Sequence, residues 1–419
     1  MPAESADLRI DAQFIVPMSS HETLLRAHSL LVRDGRIVEI LPTDKAEQRY
    51  QAGAVVDRKT HLLLPGLINA DAQAAMSLTR VASEASAAEI AARLGPEFVY
   101  DSVLRAMAEM LKSGITCFFD RFYAPQESAQ AVHDQGMRAV IGLPLTHTPS
   151  PWATDAPEYL SRALKLRDEY RSHPLVTTCF APLNVPALAD EPLRRLATLA
   201  DELEAGIAID LSEALAAADA QRAPLARFAE LNLLTPAFNA LHAPALSPEE
   251  LSLAQRVGIG FCLSPKLTLA ARSSDSFAAL AARGMKLAIA SAGARTLRYD
   301  VWGEMRIAAA LLDDAEDGAY QALALCTSTA ASALGLEDVG LLAPGKWADI
   351  CCLDLSHPAT FAGREDLRTI VFCADRDCVS DVWVAGRALL SNRELVRLDW
   401  QAVAAKARTW SLLLNQGAP

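Results

Sequence analysis

No run of about 18 apolar residues occurs in this sequence, so no segment reads as a membrane-spanning helix. The eight cysteines contain no C-x-x-C pair, and Cys351-Cys352 and Cys373/Cys378 match none of the usual zinc-ligand spacings. Cys117, Cys179 and Cys262 sit instead in apolar runs, where they read as small core residues of a reducing compartment. Like charges form no block: 39 basic and 51 acidic side chains give a spread-out net charge of −12. That speaks against nucleic acid or an anionic membrane as a partner. The opening residues, MPAESADLRID, lack the basic stretch and apolar core of a secretory signal, so a cytoplasmic location is expected.

What is present is a large apolar content, 51% of 419 residues, enough for one barrel of roughly 250 residues and a smaller domain. Residues 7–60 read as short strands joined by turns, with Asp34-Gly35 as a hairpin turn. Residues 345–390 repeat that texture in GKWADICCLDL, TIVFCA and VSDVWVAGRALL, the last broken at Ala385-Gly386. Between these lie eight apolar runs, at 66–72, 115–120, 138–145, 176–184, 206–213, 238–244, 259–265 and 286–293. Each is nearly continuous in apolar character, as a parallel strand covered on both faces should be. Helix-patterned segments separate them, such as 96–114, with Pro at its start and Gly at its stop, and 191–206. The expectation is an α/β chain: a (β/α)8 TIM barrel over 64–344, and a small β-sandwich domain built from both ends, 1–63 and 345–419. Polar residues at the strands' C-terminal ends are then the candidate site.

The first of those strands runs LLLPGLINADAQAAM (62–76), and strand periodicity would put Asp71 and Gln73 on one face. The phrase resembles the first barrel strand of the amidohydrolase superfamily, in its branch of S-adenosylhomocysteine/methylthioadenosine deaminases and triazine chlorohydrolases. AMAEMLKSGITCFFD, WGEMR (302–306), APGKWADI and VSDVWVAGR carry the resemblance from about Leu8 to about Trp410. In that family the strand reads PGLINAHTH, and two strand-1 histidines, a strand-5 histidine and a strand-8 aspartate hold zinc or iron. The matching positions here are Asp71, Gln73, Asp210 and Ala292. The sequence contains no H-x-H at all. The resemblance therefore implies no metal cofactor, because the metal-bound water that supplies the family's nucleophile would have no imidazole ligands.

Two of the family's catalytic positions persist, Glu213 of the strand-5 phrase and His242 at the end of strand 6. The family's substrate histidine after strand 4 falls on Leu183, and its strand-7 loop on Cys262 to Lys266. Residues 80–95, matching its capping loop, are Ala-rich and lack aromatics. The leading expectation is a degenerate amidohydrolase acting as a non-hydrolytic binding or assembly subunit. As such it would form a homodimer, or a heteromer with a paralogue or pathway enzyme, and could bind a small molecule in a pocket lined by Asp71, Gln73, Asp210, Leu183, Lys266 and Ala292. A repurposed enzyme stands beside it, in which Asp71, Asp210, Glu213 and His242 do metal-independent or magnesium-dependent chemistry. In that reading the crowded carboxylates raise one another's pKa unless Lys266 pairs with them. An ordinary metal-dependent C–N hydrolase is the third reading.

Overall fold

The computed structural model describes residues 4–19, 24–81, 87–212, 224–243, 246–271, 274–312, 317–360 and 366–415. All eight apolar runs form strands, and they pair in parallel, in chain order, as one sheet. These are β5 (Leu67–Asn69), β6 (Ile115–Arg121), β7 (Arg138–Leu143), β8 (Val176–Phe180), β9 (Ile207–Asp210), β10 (Phe238–Leu241), β11 (Gly260–Leu263) and β12 (Lys286–Ile289). The sheet closes where the Ala70 amide donates to the Ile289 carbonyl at 2.9 Å, making a (β/α)8 barrel. Lower on the same seam the chain at Leu325-Cys326 is wedged between first and last strands, accepting bonds from the Ile289 and Ile68 amides. A buried clamp reinforces the closure: Asn69 Nδ2 donates to Ser291 Oγ at 2.7 Å, and the Ser291 amide to Asn69 Oδ1 at 2.9 Å.

The barrel interior is filled by small side chains such as Ala70, Cys117, Ala208 and Cys262, and plugged by Ala330, Ala331 and Ala333 of the helix Ser328–Ala333. Larger residues, among them Phe118, Phe180 and Phe261, face outward into the layer between strands and helices. Gly66, just before β5, sits so close to β6 that a Cβ there would lie 2.1 Å from Thr116 Oγ1.

Both chain ends join a second, mixed sheet, built from β1 (Glu4–Ile15), β2 (Leu25–Arg33), β3 (Arg36–Pro42), β4 (Tyr50–Pro65), β13 (Ile350–Asp354), β14 (Val379–Val384), β15 (Arg387–Ser391) and β16 (Glu394–Leu395). β4 pairs with β1 on one edge and antiparallel with β13 on the other, from Ile350↔Pro65 to Asp354↔His61. The Asp34-Gly35 turn is present, with φ of 52° and 76°. Pro96 opens its helix as expected, although helical turns from Ala87 precede it across a break at Gly95 (φ 73°). A short helix at Thr43–Arg49 was not expected; only its Ala46 is buried, so it carries no apolar stripe to be read.

A buried ion pair binds the sheet to the barrel. Arg138, on β7, donates from Nε and Nη2 to the two carboxylate oxygens of Asp349 at 2.6 and 3.1 Å, and both side chains are buried. Asp349 also accepts the Ala385 amide at 2.8 Å, and the Arg138 guanidinium lies 5.5 Å from the centre of the Trp347 ring.

Candidate functional site

Asp71, Gln73, Asp210, His242 and Ala292 converge at the C-terminal ends of β5, β9, β10 and β12. Asp71 and Gln73 lie beyond β5 rather than on it, so a strand's alternation does not explain their meeting. Gln73 has φ of 56°, and this turn folds its amide back, Nε2 donating to Asp71 Oδ2 at 3.2 Å. Asp71 is wholly buried. Its backbone is pinned, its carbonyl accepting the Ala292 amide at 2.9 Å while the Ala72 amide donates to Phe119.

His242 Nε2 lies 2.7 Å from Asp71 Oδ2, a hydrogen bond that places the ring proton on Nε2. Nδ1 of the same ring is buried and has no hydrogen-bond partner among the described residues. The imidazole is thus oriented by a carboxylate on one nitrogen and able to accept a proton on the other.

A residue that sequence reasoning passed over completes the cluster. Arg121, the last residue of β6, donates from Nη2 to Asp210 Oδ2 at 2.6 Å and brings Nε to 3.7 Å from Asp71 Oδ1. Asp210 also accepts Ser212 Oγ at 2.6 Å and its amide at 2.9 Å, and Arg295 stands 3.9 Å away. Burial alone would raise the Asp210 carboxyl, yet Arg121, His242, Ser212 and Arg295 together hold it below the usual aspartate range. The expected mutual raising of crowded carboxylates is therefore reversed at Asp210, because two guanidinium groups reach it. Lys266 plays no part in this: it is exposed, and its charge lowers the pKa of Glu304 instead. Leu183 is buried after β8, its amide bonded to the Leu145 carbonyl. Glu213 lies outside the described residues.

Asp120, next to Arg121, points elsewhere and accepts Ser128 Oγ at 2.9 Å; burial pushes its carboxyl up to about 6. The strand-7 phrase and WGEMR meet at Glu304, which accepts Ser264 Oγ at 3.0 Å and the Lys266 amide at 2.8 Å. The two phrases thus meet at the start of the helix Pro265–Ala270, which Ser264 caps.

The fold, with its polar cluster at the barrel mouth, is that of an amidohydrolase. The chain belongs to the amidohydrolase family, whose model matches residues 62–389. It is 36% identical over 429 residues to a 5-methylthioadenosine/S-adenosylhomocysteine deaminase of Teredinibacter turnerae, covering 96% of this chain and 97% of that one. The corresponding deaminase of Saccharophagus degradans is 32% identical, with 98% and 97% covered. Among solved structures, a zinc-bound adenosine deaminase from Xanthomonas campestris superposes with a TM-score of 0.92 at 32% identity, covering 99% and 100% of the two chains. An atrazine chlorohydrolase of Arthrobacter aurescens shares the fold, with a TM-score of 0.81 at 18% identity over 96% and 100%.

These relatives overturn the expectation of a non-hydrolytic assembly subunit. They match along the whole chain and bear the names of deaminases and hydrolases, and nothing in them marks a non-catalytic protein. The residues at this mouth nevertheless do not fit the zinc of that neighbour. Ala292 has no donor atom, Gln73 offers a neutral oxygen, and the Arg121 guanidinium lies between the two carboxylates. Among the described residues no three His, Cys, Asp or Glu side chains converge as a metal centre requires. No helix among them is long and apolar enough to cross a membrane.

Proposed function

We propose that this chain is a hydrolase that removes the exocyclic amine of an adenine nucleoside, of the thioether-bearing kind named for its relatives. The observation that carries this reading is the buried His242–Asp71 pair at the barrel mouth, 2.7 Å apart, in a chain similar to such deaminases along its whole length. His242 Nδ1 takes a proton from the attacking water as its oxygen adds to the ring carbon bearing the amine. The same nitrogen returns that proton to the amine, which leaves as ammonia, while the water's second proton passes to the neighbouring ring nitrogen and the oxygen stays on the ring as a carbonyl. Asp71 orients the imidazole and stabilises its charged form, while Arg121 offsets the second carboxylate, Asp210.

The test is ammonia release from 5-methylthioadenosine, S-adenosylhomocysteine and adenosine, followed together with the change in purine absorbance. Turnover of one of these, reduced by about 10²-fold or more in His242→Ala, is the expected result. Absence of turnover with all three, or turnover indifferent to His242→Ala, would sink the reading.

A further inference from the structure

A cavity of about 410 Å³ lies outside the barrel mouth, between the end of the helix Ala87–Leu111 with Lys112 just after it, the segment after Ala292, and the start of the C-terminal helix at Trp400. Among the described residues its wall carries five cations, Arg80, Arg105, Lys112, Arg298 and Arg376, against one acid, Glu109. In a chain with a net charge of −12 such a concentration of positive charge has no explanation in composition.

The single acid does not satisfy these cations. Glu109 accepts Arg80 Nη1 at 3.0 Å and the Tyr299 amide at 3.1 Å, and Arg105 Nη1 stands 3.7 Å from it. Arg80 is only 7% exposed, stacks on Tyr299 at 4.4 Å and donates from Nε to the Gly293 carbonyl. Its Nη2 is buried with no hydrogen-bond partner among the described residues, and so is Arg105 Nη1. Burial, and after it the neighbouring Arg80 charge, lowers the Arg105 pKa, which is the cost of two guanidinium groups sharing one carboxylate. Lys112, Arg298 and Arg376 form no ion pair among the described residues. Leaving buried guanidinium donors unmet costs free energy that a bound anion would recover.

We propose that this cavity binds a phosphorylated small molecule of nucleotide size. Phosphate suits the site better than a carboxylate does, since its multiple charges and oxygens answer several cations and forked guanidinium donors at once. The volume falls within the usual range for small-molecule pockets, roughly 300–1,000 Å³, and greatly exceeds one inorganic phosphate. Trp400, 44% exposed, Leu297, 57% exposed, and Leu395 supply an apolar wall on which a ring can lie. The cavity is distinct from the Asp71–His242 cluster and shares none of its residues.

Calorimetric titration of the intact protein with UTP and GTP, neither of which carries the adenine that the mouth would take, tests this. One equivalent of nucleotide should bind, with pyrophosphate weaker and uridine silent, and Trp400 emission should change on binding and stop doing so in Trp400→Phe. Arg298→Glu and Arg376→Glu change exposed residues and should each weaken the nucleotide at least tenfold. No saturable binding of either nucleotide overturns the proposal, as does binding that survives both charge reversals. Orthophosphate binding as tightly as the nucleotides would also overturn it, since the organic body would then contribute nothing.

Discussion

Replacing Asp349 with alanine should unfasten the two sheets from one another at a cost that can be worked out in parts. The side chains of Arg138 and Asp349 are only 6% and 3% exposed, so solvent cannot replace the lost partner. Removing one member of such a pair costs about 3–5 kcal/mol, most of it the penalty of a guanidinium left buried without its counter-charge. A further part belongs to the Ala385 amide, which donates to the same carboxylate and would be orphaned at about 1–3 kcal/mol. The double variant Arg138→Met/Asp349→Leu removes the charge penalty and keeps only the amide's share. The single variant should therefore be less stable than the double by about 3–5 kcal/mol. Urea unfolding followed by tryptophan emission reads both, because Trp347 stacks between Arg36 and Arg138. Equal loss in both variants, or less than about 1 kcal/mol in Asp349→Ala, would show that this pair does not hold the lobes together.

Glu304 should make stability depend on pH, since burial raises its carboxyl from 4.5 to about 7. Between those values the unfolded chain has lost a proton that the folded chain keeps, so stability falls as pH rises and levels off above the upper value. The span corresponds to roughly 3 kcal/mol, and Glu304→Gln should flatten that slope; an unchanged slope would refute the assignment. Gly66→Ala should cost about 1–3 kcal/mol through the contact of its Cβ with Thr116, and Thr116→Gly in the same chain should recover part of it, both read from urea midpoints.

The barrel was legible in the sequence because a strand covered on both faces must be apolar almost throughout, and the eight runs announce themselves that way. The second sheet was legible from its turns, Asp34-Gly35 and Ala385-Gly386, each of which adopts positive φ. The helix at Thr43–Arg49 was not, since a single buried alanine leaves no periodic trace. At the site, strand ends pointed to Asp71, Asp210 and His242, which do meet. Arg121 escaped notice because a charge at the end of an apolar run reads as a cap, and its reach from β6 to β9 spans 89 residues of sequence. The same distance hid the reversal of the Asp210 pKa: carboxylates can be counted along a chain, whereas the cations that offset them are visible only in space.

The position of β13 beside β4 sets a condition on synthesis of the protein. While the chain emerges from the ribosome, β1 to β4 can pair with one another as soon as residue 65 is out. The β4 edge formed by Leu62, Leu63, Leu64 and Pro65 stays open until Ile350 to Asp354 arrive. At about 5–20 residues per second, the nearly 300 intervening residues take on the order of a quarter of a minute or more. Through that interval a fully apolar strand edge is exposed on the nascent chain, a template for pairing with another copy. The chain is thus most vulnerable to aggregation before its last sixth is made, and a ribosome-stalled fragment ending before residue 350 should be the species that chaperones hold.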